Sequence, residues 1–218
     1  MNAVTSAIVP QTGAVNKLGL LPKMLNHVAY VTHDAAATVD FYTNVMGMEL
    51  VSTIIDDKIP STGDPFPYFH IFFRLGDGST MAFFESPGLP PAAQSTHPAY
   101  DIFNHIAFQV DSREEIERWH GWLVSKGIDV IGPTDHKGLL LSIYFHDPSG
   151  IRLELTTPLN QVWNNHAEMA RRDLAQWEGW KEEARREGLP VAELLVDRIK
   201  EARKRYTQTA TPAQAAHA

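Results

Sequence analysis

The sequence predicts an α+β fold made of two βαβββ units followed by helices. Three observations predict it. Short runs of β-type residues are broken by Gly, Asp and Pro turn signals from about Met24 onward. The same order of elements then recurs, offset by 78 residues at the first strand and by 72 at the last hairpin. After Pro158 the chain turns rich in Arg and Glu, and its apolar residues take helical spacing.

Residues 1–20 are small and polar without periodicity, so an arm over residues 1–23 is expected to be flexible. Residues 25–32 (LNHVAYVT) form the first predicted strand. Residues 33–46 then place Val39, Phe41, Tyr42 and Val45 on one helical face, and Gly47 suits the helix end. Residues 49–55, 68–75 and 80–85 read as strands, the last two joined by Gly76-Asp77-Gly78. In the second unit, Asn104-His105-Ile106-Ala107-Phe108 repeats the pattern of Asn26-His27-Val28-Ala29-Tyr30. A helix follows with Ile116, Trp119, Leu123 and Val124 on one face, closed by Lys126-Gly127. Strands are expected near 129–132, 139–146 and 151–156, with Asp147-Pro148-Ser149-Gly150 turning between the last two. The two units span residues 24–86 and 101–157 of one domain, 24–157.

Residues 158–218 read as a helical extension. Trp163, Ala167, Ala170, Leu174, Trp177 and Ala184 mark one helix, ended by Gly188-Leu189-Pro190, and a second runs over 191–206. These helices are expected to pack on the sheet or on a second subunit, with a lid over the site as the alternative. The Ala/Thr/Gln-rich end is expected to fray.

Composition narrows the function. The 218 residues carry 19 Lys+Arg against 26 Asp+Glu, a net charge of −7, which disfavours nucleic acid and anionic membranes as partners. Absence of cysteine removes disulfides, thiolate metal sites and thiol nucleophiles, so a metal would need His, Asp or Glu ligands. No apolar run reaches the ~18 residues of a membrane span. The N-terminus lacks a basic-then-apolar leader, and a cytoplasmic location is expected.

The repeat singles out two of the ten histidines. His27 and His105 stand at the same place in equivalent strands, so packing of the units about a pseudo-twofold axis would bring them to a shared centre. Imidazole suits Fe, Zn, Ni or Cu. Glu154 sits between Leu153 and Leu155 in the last strand, where an isolated charge is costly unless it is paired with a cation. Ion pairing with Arg152 or Arg74 is the competing use. The equivalent position in the first unit is Ala82, and Glu85 turns to the opposite face. Two His and one carboxylate with open coordination positions point to non-haem Fe(II) and oxygen.

The repeated unit, Asp40-Phe41-Tyr42 with Met46-Gly47-Met48, and the paired His strands resemble the vicinal oxygen chelate superfamily. Glyoxalase I, methylmalonyl-CoA epimerase, fosfomycin and bleomycin resistance proteins and type I extradiol dioxygenases belong to it. The resemblance covers about residues 24–157. It implies a paired, curved mixed sheet around a metal site. Thr134-Asp135-His136, Ile143-Tyr144, Asp147-Pro148-Ser149-Gly150 and Glu154 are further similar in spacing to the extradiol signature. What this implies is a small single-domain Fe(II) dioxygenase, with Mn(II) as the alternative metal, on His27, His105 and Glu154. Tyr144 and His136 would hydrogen-bond the substrate or the oxygen-derived group, and an aromatic diol would be cleaved with O2 in aromatic compound catabolism.

The usual acid–base His is replaced here by Asp77-Gly78-Ser79-Thr80. His70, on the face shared with Tyr144, is the nearest substitute, and His97 is a second candidate. The family's extradiol enzymes have four units, so this two-unit chain is expected to form a homo-oligomer. Two other readings remain: a glyoxalase- or epimerase-type isomerase or lyase, which would want a carboxylate near Ala82, and a non-enzymatic binding or resistance protein.

Overall fold

The computed structural model describes residues 22–90 and 95–209. The expected arm, apart from residues 22 and 23, and the end from residue 210 lie outside the described residues. The first unit comprises β1 (His27–Val31), α1 (Ala35–Asp40), β2 (Glu49–Asp56), β3 (Tyr68–Arg74) and β4 (Thr80–Glu85). A short α2 (Pro98–Phe103) precedes the second unit, which comprises β5 (Ile106–Gln109), α3 (Arg113–Ser125), β6 (Ile131–Asp135), β7 (Leu140–His146) and β8 (Arg152–Pro158). Helices α4 (Ala167–Glu187) and α5 (Val191–Thr209) follow. The fold is α+β with two four-stranded mixed sheets, in the spatial orders β1-β4-β3-β2 and β5-β8-β7-β6.

The two sheets have the same register. Ala29 pairs with Ala82 across the parallel β1–β4 ladder, and Ala107 pairs with Glu154 across β5–β8. Phe72 lies opposite Ala82, just as Tyr144 lies opposite Glu154. The structure therefore places Ala82 at the position of Glu154.

Local chemistry sets the helix limits. The Asp34 side chain accepts from Ala37 N at 2.9 Å and starts α1. Ser112 accepts from Glu115 N at 3.2 Å and starts α3, while the Glu115 carboxylate accepts from Asp111 N at 2.9 Å. The α1 helix continues as a π turn over Phe41–Val45, with Met46 N bonded to Phe41 O at 3.0 Å. Gly47 ends it at φ +71°, a conformation that costs other residues more.

Strand β6 lies a few residues later than its sequence pattern predicts. Gly132-Pro133 reads as a strand end, yet it forms a bulge inside the strand, between pairs Ile131–Tyr144 and Thr134–Ser142. Gly132 has φ +114°, and a Cβ there would stand 2.7 Å from Ser142 O. Only glycine fits that approach.

Alternation then divides each strand between two faces. Ile71, Phe73, Met81 and Phe83 of the first sheet join Ile143, Phe145, Leu153 and Leu155 of the second in one buried core. Phe41 and Tyr42 from the first helix, and Ile116 and Leu123 from α3, pack in the same core. Tyr42 stacks on Phe73, with ring centroids 5.1 Å apart, and donates from Oη to Asp147 Oδ2 at 3.1 Å. Asp147 Oδ1 in turn accepts from Ser149 N and Ile151 N at 2.9 and 2.8 Å, shaping the β7–β8 turn. Burial pushes the Tyr42 phenol well above its ordinary pKa and keeps it a donor. This bond ties the first unit to the second. Tyr42→Phe is expected to lower stability by about 1–2 kcal/mol, read as a lower urea midpoint, because Asp147 Oδ2 loses its donor.

Helices α4 and α5 pack on each other, through buried Ala184 and Leu195 and the Glu183–Arg198 ion pair. The expected apolar stripe is only partly covered. Ala184 is buried, whereas Leu174 and Trp177 are exposed and Trp163 precedes the helix in a turn. Contact with α5 uses the C-terminal turn of α4, so the N-terminal part of the stripe is left outside the pair. Among the described residues no helix is long and apolar enough to cross a membrane.

Candidate metal centre

The strand faces turned away from the common core carry the candidate residues. On the second sheet, Ile106 faces the core, which turns His105 and Ala107 the other way. Leu153 and Leu155 do the same for Glu154, and Ile143 for Ser142 and Tyr144. His105 Nε2 lies 2.8 Å from Glu154 Oε2. His136 Nε2 lies 2.8 Å from the Tyr144 hydroxyl, and the His105 and Tyr144 rings meet edge-on at 5.8 Å.

The tautomers suit a cation. Phe103 O can only accept, so the 2.9 Å contact requires His105 Nδ1 to carry a proton. Nε2 then points toward a carboxylate that is 4% exposed and whose other oxygen accepts from Ser142 Oγ. A proton on Nε2 or a metal ion between the two groups makes this 2.8 Å contact favourable. His27 has the matching arrangement: Nδ1 meets Asn26 Oδ1 at 2.7 Å, which frees Nε2. His and carboxylate are donors that a divalent transition metal uses, and His105 and Glu154 bring two of them to one place.

Neither arginine weighed as a partner of Glu154 takes that part. Arg74 pairs with Glu49, and Arg152 lies over the Tyr144 ring with its guanidinium carbon 4.4 Å from the centroid. Burial, with the Glu154 charge adding to it, pushes the Tyr144 phenol above its usual pKa and keeps it protonated.

His27 is on the other sheet. Its ring meets Phe72 at 5.8 Å and His70 at 6.4 Å. His70 is 7% exposed and packs on Phe84 and Phe72, at centroid distances of 3.5 and 4.0 Å, and its Nε2 has no hydrogen-bond partner among the described residues. Burial pushes the His70 imidazole below its ordinary pKa, with the His27 charge adding to the effect. His97 instead caps α2, accepting from Ala99 N at 3.1 Å. Glu85 accepts from Ala35 N at 2.7 Å at the start of α1, away from the metal candidates.

The structure thus brings His105, Glu154, Tyr144 and His136 together, and separately His27 with His70. Among the described residues no three His, Asp or Glu side chains are grouped to hold one ion. Sequence reading missed Ser142, although its spacing of two from Tyr144 puts it on the same face. It also missed Ile54, Phe66 and Leu89, which line a cavity beside His70. Phe66 and Leu89 lie in loops, where no periodicity marks them.

The model of the Glyoxalase/Bleomycin resistance protein/Dioxygenase superfamily matches residues 24–155, more than half of the chain. The chain belongs to this superfamily. Its relatives divide by activity. MhqA of Bacillus subtilis (strain 168), named as a ring-cleaving dioxygenase, is 27% identical over 135 residues, covering 61% of this chain. That alignment spans only 39% of MhqA. The metallothiol transferase FosB of Staphylococcus saprophyticus is 28% identical over 134 residues, 61% of this chain and 76% of FosB. A glyoxylase/bleomycin resistance protein/dioxygenase domain from Frankia sp. EAN1pec shares the superfamily fold at TM-score 0.51 and 16% identity, covering 63% of this chain and 99% of that domain.

Proposed function

We propose that this superfamily member is an Fe(II)-dependent extradiol-type dioxygenase that cleaves a catechol-like aromatic diol with O2, and that its metal site is assembled between two copies of the chain. His105 and Glu154 of one copy and His27 of a second would hold the metal, with Mn(II) the alternative ion. The single observation that carries the reading is the His136–Tyr144 pair standing beside His105 and Glu154. The likeness to MhqA supports it as well.

Assembly between copies follows from the division of the ligands. His27 and the His105–Glu154 pair lie on faces that the common core does not cover, and Ala29 and Ala107 there are exposed. A two-fold arrangement setting the first sheet of each copy against the second sheet of the other makes two equivalent sites.

When bound, the metal would supply chelation of two adjacent substrate oxygens and redox chemistry with O2. The chain's own groups hold protons around it. Tyr144 Oη, kept protonated by burial, can donate toward the reacting centre while His136 Nε2 holds the hydroxyl in place. His70, with its ring 6.4 Å from that of His27, would hold a proton on that side. Ser142 fixes the Glu154 carboxylate by donating to Oε1.

Protein loaded with Fe(II) without air is expected to take up one O2 per catechol and give a yellow ring-opened product. Tyr144→Phe is expected to keep its metal and lose about 10²-fold or more in turnover. No oxygen uptake across a broad catechol panel would contradict the dioxygenase reading. A second reading, metal-dependent thiol transfer, is favoured by the likeness to FosB. It predicts turnover that needs a thiol and no O2.

A further inference from the structure

The face of the first sheet turned away from the common core holds a cavity of about 620 Å³, more apolar than the face of the second sheet that carries His105, Ser142 and Glu154. Ile54, Phe66, Tyr68, Phe84 and Leu89 form its walls together with His70. Among the described residues, none that lines it is Asp, Glu, Lys or Arg. Its size lies within the ~300–1,000 Å³ range of small-molecule sites.

His70 is the feature that points to a ligand. It is 93% buried, between Phe72 and Phe84, and directly across the strand pair from Ile54. Its Nε2 has no partner among the described residues, a condition costly enough that buried polar groups are rarely left in it. A hydroxyl on a bound molecule would supply the missing bond. A carboxylate, sulfonate or phosphonate entering the same walls would lose its hydration with no Lys or Arg among the described lining residues to pair with it.

We infer that this cavity is a specificity subsite for the neutral, apolar arm of a phenolic ligand, with His70 as the group that hydrogen-bonds its hydroxyl. The cavity adjoins His27, whose ring is 6.4 Å from that of His70, so its occupant lies beside the proposed metal position. Calling the occupant a substrate rests on the dioxygenase reading. The binding preference itself does not.

The test is equilibrium binding to the metal-free full-length chain, followed by calorimetry, with 4-ethylphenol, ethylbenzene and 4-ethylbenzoate as probes. The phenol is expected to bind at one site per chain and about 10-fold more tightly than ethylbenzene, the value of one net hydrogen bond. The benzoate is expected to bind at least 10-fold more weakly than the phenol. His70→Phe should erase the preference for the phenol over ethylbenzene, and retained far-UV circular dichroism and melting temperature would exclude misfolding. Ile54→Glu puts a charge on a half-exposed wall residue and should weaken phenol binding at least 10-fold in a folded protein. Equal affinity for the three probes, or an unchanged phenol preference in His70→Phe, would overturn the inference. Because no metal or O2 is present, failure of ring cleavage alone leaves these binding results standing.

Discussion

Glu154→Ala is expected to strip the metal from the protein, weakening metal affinity by more than about 100-fold, and to take turnover to background. Loss of outer partners of metal ligands already costs about 10–100-fold, and this change removes a ligand itself. The carboxylate is the anionic donor of the proposed set, and it is held by His105 on one side and Ser142 on the other. Its removal leaves two neutral imidazoles. Metal analysis after anaerobic purification reads the loss directly, and circular dichroism establishes that the second sheet remains folded. Wild-type metal content in this variant would remove Glu154 from the set.

His27→Ala is expected to lose the metal as completely, although His27 is on a different sheet from Glu154. This prediction separates the proposed centre from a simpler one. If His105 and Glu154 formed a self-contained site with the help of Ser142, the change on the first sheet would leave metal content unaltered. His27 is exposed and its near neighbours are His70 and Phe72, so its replacement removes little packing. Loss of metal without loss of fold would therefore report ligation.

Much of this arrangement is legible in the sequence, because strand alternation and the internal repeat are local properties. The offsets that pair His27 with His105 and Ala82 with Glu154 reappear in the ladder registers. Alternation also places His70 on the face of the first sheet that corresponds to the one Tyr144 occupies in the second. Three features were not legible. Gly132-Pro133 has the composition of a strand end, and only the close approach of Ser142 O shows why glycine is needed within a bulge. The cap role of His97 depends on an extended residue before a six-residue helix. Above all, the repeat tells which residues are equivalent but not which sheets face one another. A pseudo-twofold within one chain would join the two histidines, whereas the shared core packs the opposite faces of the two sheets together. That outcome depends on Tyr42, Phe83 and Phe145 filling one interior, a tertiary property that strand spacing does not encode.

The central claim is that the metal site takes His27 from one copy of the chain and His105 and Glu154 from another. A heterodimer of a His27→Ala chain and a Glu154→Ala chain, isolated through two different affinity tags, tests it most directly. One of its two shared sites would be intact and the other doubly altered. The account predicts about one metal ion per heterodimer and about half the activity of the wild-type dimer, while each variant alone has neither. A heterodimer as empty of metal and as inactive as its parents would contradict it.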